Sequence, residues 1–181
     1  IVRPESFPDY RKIIVMDRDK NVHEANLVAF SQRYDLALLK TNIQGEHKVF
    51  FADESSIQRG DRVYGGGLDL EDTVNYFGYP FRVANPDEIR LDRFTSSGSF
   101  IRNQDYSMIS SRGTVLANPV VTNTFARGGY SGSPIADAQG RIIGVTSMVN
   151  SATNTTYSSS AANIRRFLTI YLTQLRGEAV K

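Results

Sequence analysis

The chain has 181 residues, a formal charge of +2 at neutral pH and no cysteine. That length supports one domain or two small ones with adequate cores, the near-balanced charge argues against an electrostatic nucleic-acid binder, and the lack of cysteine excludes disulfides, thiol nucleophiles and thiolate metal sites. No apolar run approaches the ~18 residues of a membrane span, and no signal peptide is visible, which leaves the compartment unknown.

In chain order, short β-prone runs recur: Lys12–Met16, Asn26–Phe30, Asp35–Lys40, Lys48–Phe51, Arg62–Tyr64, Thr73–Phe77, Ser99–Arg102, Thr114–Leu116, Val120–Thr124 and Arg141–Val149. Turn signals such as Asp17–Asn21 and Asp137–Gly140 separate them. Many short strands at this spacing predict a sandwich or barrel. Gly65-Gly66-Gly67 lacks a following Gly-Lys-Ser/Thr and reads as a flexible loop rather than a phosphate cradle. Asp69, Glu71 and Asp72 read as a solvated run whose spacing fits no calcium loop. The polar stretch Ser151–Ser160 reads as a surface loop. Only the end is helical by pattern. Ile164, Phe167, Leu168, Tyr171, Leu172 and Leu175 share one apolar face, with Ser160 as cap and Gly177 as stop.

The chemistry concentrates in Gly128-Gly129-Tyr130-Ser131-Gly132-Ser133-Pro134. A serine that attacks a carbonyl needs backbone N–H groups beside it to hold the oxyanion. Glycines allow that backbone to come close. Ser131 is thus a candidate nucleophile for acyl-bond hydrolysis. An α/β-hydrolase elbow is excluded, because the second residue after Ser131 is Ser133 rather than Gly, and no histidine follows it. Upstream, Asp35 opens the apolar run Leu36-Ala37-Leu38-Leu39. A buried carboxylate there suits the orientation of an imidazole.

The chain holds two histidines, and neither suits the role of general base. His23 starts a strand running to about Phe30, and Asp35 lies beyond the far end. Eight residues at ~3.3 Å each separate those ends by roughly 26 Å, against about 3 Å for a hydrogen bond. His23 therefore reads as a surface strand residue. His47, in the polar stretch Thr41–Lys48, is placed still less well.

At Asp35–Lys40 and Gly129–Pro134 the chain resembles the trypsin-like, chymotrypsin-fold serine proteases. Its Ser131-Gly132-Ser133-Pro134 is similar to the bacterial glutamyl endopeptidases, beside the HtrA-type proteases. Arg141–Thr146 resembles the strand after the serine, Gln58–Val63 the start of the second barrel, and Phe77–Pro80 a loop of bacterial members. The resemblance implies an all-β fold of two antiparallel six-stranded barrels with a C-terminal α-helix. The first barrel is incomplete in this chain. Residues 1–50 would be the remainder of the N-terminal barrel, 51–160 the C-terminal barrel, and 161–181 the helix.

The same resemblance implies site roles. Ser131 is the nucleophile and Asp35 the orienting acid; the N–H groups of Gly129 and Ser131 form the oxyanion hole. Ser147, Met148 and Val149 bind substrate backbone as an added strand. Phe125, Ala126, Thr146 and Ser158 line the specificity pocket. With no acid at its base, and Thr146 where glutamyl endopeptidases carry histidine, that pocket suits an uncharged, small or medium side chain. The base itself is expected in an Ala-His motif at or just before Ile1, on an upstream segment or an associated N-terminal fragment. The expected partner is a polypeptide substrate, with no cofactor, metal or nucleic acid. The alternative is a catalytically inactive protease-fold module that binds peptide or serves as a structural or interaction part.

Overall fold

A computed structural model describes residues 13–17, 19, 21–44, 48–70, 91–103, 106–109, 113, 115–126 and 130–175. Strands β1 (Ile13–Met16), β2 (Val22–Ser31) and β3 (Leu36–Thr41) form an antiparallel sheet in that order. Asp17 shapes the first turn, its carboxylate accepting the N–H groups of Asp19 and Asn21 at 2.9 Å each. Ser31 pairs with Leu36, so the turn before β3 places Asp35 at the end of the sheet away from His23.

The chain continues through β4 (Arg62–Leu70), β5 (Leu91–Asn103), a small pair β6 (Met108–Ile109) and β7 (Val115–Leu116), then β8 (Val120–Thr122), β9 (Pro134–Ala136), β10 (Ile142–Asn150) and β11 (Thr155–Ser160). Six of these close into a barrel in the order β10-β11-β8-β5-β4-β9. Closure pairs every strand of the barrel on both sides over part of its length. Its core is Ala52, Val63, Phe100, Val120, Ile135 and Ile143, all buried. Burying each large side chain of this kind contributes about 1.5–3 kcal/mol. Hydroxyl residues share the interior. Thr122 Oγ1 and Thr124 Oγ1 are 2.8 Å apart, and Thr156 Oγ1 donates to the Thr124 carbonyl at 2.7 Å.

Helix α1 (Ala161–Leu175) follows β11 directly. Ser160 caps it as the pattern predicts, its Oγ accepting the Asn163 N–H at 3.2 Å. The helix then clamps the two halves together. Phe167 packs with Tyr34 and Ala117, against Ala29, Leu36 and Leu38 of the three-stranded sheet. Buried Asn163 donates to the Ala117 carbonyl at 2.7 Å, and the Ala117 N–H donates to the Arg33 carbonyl at 2.9 Å. The turn that carries Asp35 is thereby stitched to the second half of the chain.

Several expectations need correction. Thr155–Ser160 is no surface loop but a strand whose alternate residues are buried in the barrel wall. Gly65–Gly67 lies inside β4, paired with Thr95, Ser96 and Phe94 of β5, and is not a flexible loop. Lys48–Phe51 is not a strand. It makes one isolated parallel bridge, Phe51 to Ile142, as the chain crosses between halves. Leu172, expected on the apolar face of the helix, is 49% exposed. Thr73–Phe77, Phe77–Pro80 and Gly177 lie outside the described residues.

Candidate active site

The serine turn is built by three backbone hydrogen bonds. The Ser133 N–H donates to the Tyr130 carbonyl at 3.0 Å, the Gly132 N–H to the Thr146 carbonyl at 2.8 Å, and the Thr146 N–H to the Ser133 carbonyl at 2.8 Å. Gly132 takes φ +90° with open space where a Cβ would stand. Glycine is there for the left-handed backbone and not for room. Buried Tyr130 anchors the turn from below, with Phe125 edge-on at 6.3 Å between ring centroids. Ser131 is left exposed at the tip.

β10 passes under this turn with a bulge. Thr146 faces Ser158 and Met148 faces Tyr157, so Ser147 is the extra residue between. A bulge re-aims the side chain it carries. Here the Ser147 hydroxyl points to the other half of the molecule and donates to the Asp35 carboxylate. The Ser147 carbonyl accepts from Ser131 Oγ at 3.4 Å. Gly144, three residues before Ser147, holds β10 against β11: a Cβ there would sit 2.8 Å from the Ser159 carbonyl oxygen.

Asp35 is half-buried and has φ +50°. Asp is among the few residues that enter this region readily. Its conformation turns the chain sharply into β3, beneath the serine turn. Asp35 and Ser131 line one cavity of about 390 Å³, walled by Leu36, Leu38, Val145 and Phe167. The sequence-predicted acid and nucleophile therefore meet in space, joined through Ser147.

The other predicted residues fall as follows. Ala126, Thr146 and Ser158 are buried beside the turn, while Phe125 is 55% exposed. The Phe125 carbonyl accepts from Ser96 Oγ at 3.1 Å. Ser147, Met148 and Val149 are half-buried on β10. Strand β9 pairs with β10 only as far as Val145, so among the described strands nothing pairs with that side of Ser147–Asn150. Gly129 and His47 lie outside the described residues. His23 is committed elsewhere: its Nε2 is 3.0 Å from Asp17 Oδ2 and its Nδ1 is 3.2 Å from Asn42 Oδ1. The contact between Ser147 and Asp35 was not foreseen. Its one sequence trace is the hydroxyl pair Thr146-Ser147 interrupting the apolar run Ile142–Val149.

A model of the trypsin-like peptidase domain matches residues 4–145. The chain belongs to that family. The match spans β1 through the start of β10 and includes both Asp35 and Ser131. Among solved structures, the HtrA-type protease AlgW, determined with a decapeptide, is similar at a TM-score of 0.62 and 20% identity. The likeness covers 92% of this chain and 45% of AlgW, so this trypsin-like chain spans less than half that protease's length. It shows the fold: a chymotrypsin-type protein, mostly strand, with one closed barrel and a C-terminal helix. No curated protein sequence matches the chain.

Proposed function

We propose that this trypsin-like peptidase chain is the working part of a serine endopeptidase, hydrolysing peptide bonds through an acyl-enzyme on Ser131. The observation that carries the reading is the line Asp35–Ser147–Ser131, which gathers an acid and a nucleophile around one cavity. Ser131 Oγ attacks the scissile carbonyl, its proton passes to a general base, and the amine leaves with a proton returned by that base. The N–H groups of Gly129 and Ser131 hold the oxyanion. An imidazole oriented by Asp35 supplies the base, carried on a segment expected just before Ile1 or on an associated fragment.

The substrate is a polypeptide. The open side of Ser147–Val149 suits an extended peptide added as a strand, and the likeness to a protease determined with a decapeptide agrees with this. Phe125, Ala126, Thr146 and Ser158 then form a pocket for an uncharged, small or medium side chain before the cut. We assign the first fifty residues to the N-terminal barrel and residues 51–160 to the C-terminal one. The engagement of His23 by Asp17 and Asn42 favours a second reading, an inactive module that binds peptide.

Fluorophosphonate labelling of the native protein, read by peptide mass spectrometry with Ser131→Ala as control, separates the two. A label on Ser131 that the variant loses is the expected result. A well-folded protein that takes no label overturns the enzyme reading.

A further inference from the structure

Thr124, Phe125 and Ala126 lead from β8 toward the serine turn and belong to no strand. Outside a strand, backbone polar groups must find other partners. The Thr124 carbonyl accepts from Thr156 Oγ1 at 2.7 Å, and the next carbonyl, that of Phe125, accepts from Ser96 Oγ at 3.1 Å. Hydroxyls from two different strands, β11 and β5, thus fix two consecutive peptide groups.

Ser96 reaches Phe125 because β4 leaves it room. Ser96 stands directly opposite Gly65, and residues paired in this way project to the same face of the sheet. A Cβ on Gly65 would lie 2.8 Å from Ser96 Oγ and 3.2 Å from Ile135 Cδ1. Gly65 is buried, so a methyl there would evict the Ser96 hydroxyl from the place where it meets the Phe125 carbonyl. Gly65 lacks the left-handed backbone of Gly132, and what it supplies is space.

The segment that Ser96 holds lies beside the serine turn. The Phe125 ring is exposed and meets Tyr130 edge-on at 6.3 Å, within the range of favourable aromatic pairs. Tyr130 directly precedes Ser131, and Ala126, next to Phe125, is buried. A displaced Phe125 backbone would carry an exposed ring and a buried methyl with it.

We propose that Ser96 is a positioning residue for substrate selection: its bond to the Phe125 carbonyl fixes the wall Phe125–Ala126, and Gly65 keeps the place of its hydroxyl free. The consequence for cleavage rests on the endopeptidase reading and on the pocket assigned to those two residues. With the wall fixed, the site sorts side chains before the cut by size. With the bond broken, the wall yields to larger side chains while Ser131 keeps its own reactivity.

Two kinds of probe separate these effects in the native protein. Diisopropyl fluorophosphate carries no side chain for the pocket and reads the reactivity of Ser131. Two peptidyl diphenyl phosphonates, identical except for a valine or a phenylalanine side chain next to phosphorus, read the wall. In Ser96→Ala the ratio of their rates should move toward one by about 3- to 10-fold, the worth of one neutral hydrogen bond, while the small probe reacts at the parental rate. Gly65→Ala should do the same. Combined with Ser96→Ala it should change the ratio no further, because both act on one contact. Ser96→Thr, which keeps the hydroxyl, should stay near the parent. An unchanged ratio in Ser96→Ala overturns the proposal, as does an equal slowing of all three probes. Additive effects in the double variant overturn the role of Gly65. A parent that takes no label from any probe overturns the endopeptidase reading instead, and the carbonyl carbon shift of Phe125 then decides the contact. A shift moved in both alanine variants and restored in Ser96→Thr upholds the positioning of the wall by Ser96, and an unmoved shift overturns it.

Discussion

The Ser147 hydroxyl donates to the Asp35 carboxylate, joining residues 112 apart in the chain. Asp35 belongs to the turn before β3, and Ser147 to the bulge of β10. One hydrogen bond thus ties the three-stranded sheet to the closed barrel at the point where Ser131 stands. The bond satisfies one acceptor of the carboxylate from within the protein and leaves the rest of the group facing the cavity.

Removing that donor tests its importance. Ser147→Ala keeps the backbone carbonyl that Ser131 touches and deletes only the hydroxyl. A hydrogen bond to a charged group contributes about 1.5–3 kcal/mol, so Ser131 labelling in the active protein should slow by about 10- to 100-fold. Ser147→Thr, which retains a hydroxyl, should recover part of the loss. An alanine variant that labels at the parental rate would show that Asp35 is positioned without Ser147.

Two glycines at the site should respond differently to alanine. Gly132 has room for a Cβ but a φ of +90°, so Gly132→Ala should cost about 1–2 kcal/mol of stability through backbone strain alone. At Gly144 a Cβ would lie 2.8 Å from a backbone oxygen of β11. Gly144→Ala must push the two strands apart and should cost more than the Gly132 change. Urea unfolding of both variants gives the order, and a reversal would mean that β10 and β11 can separate cheaply.

The strand opening at Asp35 and the turn at Ser131 were legible in the sequence because local pattern marks both. Asp35 opens an apolar strand, and Ser131 sits in a glycine turn between strands. The terminal helix was legible for the same reason, through its apolar spacing and its Ser160 cap. β11 was not, because Thr155–Ser160 has no apolar residue except Tyr157. Its burial depends on hydroxyls matched by tertiary partners, as when Thr156 donates to the Thr124 carbonyl. The aim of Ser147 at Asp35 was hidden for a related reason. It follows from a one-residue register shift between β10 and β11, which no spacing within either strand announces.

The β1–β2 turn should loosen in acid. The Asn21 side-chain amide, then His23, then the N–H groups of Asn21 and Asp19 hold the Asp17 carboxyl well below its ordinary value of 3.8. A carboxyl whose folded value is depressed contributes stability above its unfolded value, and loses that contribution as pH falls toward the folded value. The turn should therefore be firm above about pH 4 and weaken progressively below it. Amide exchange of β1 and β2 across that range measures the effect. Asp17→Asn should flatten the pH dependence. Unchanged exchange down to the global acid transition would argue against a role for the carboxylate.

Among the described residues, the buried hydroxyls of Ser158 and Ser159 find no hydrogen-bond partner, although both residues are fully enclosed. Serine at these positions is costly, since an unsatisfied buried polar group carries a penalty of about 1–3 kcal/mol. Alanine removes the oxygen and keeps the Cβ, so Ser159→Ala should raise stability by about 1 kcal/mol, read as a higher urea midpoint at unchanged slope. Ser159 pairs with Val145 and takes no part in the three backbone hydrogen bonds that build the serine turn, so its replacement should leave Ser131 labelling unaltered. Ser158 faces Thr146, which bonds the serine turn directly through its backbone. If its hydroxyl is kept for a substrate, Ser158→Ala should gain stability to a similar extent yet change the preference for the residue before the cut. A cleavage profile identical to that of the parent would assign Ser158 to packing alone.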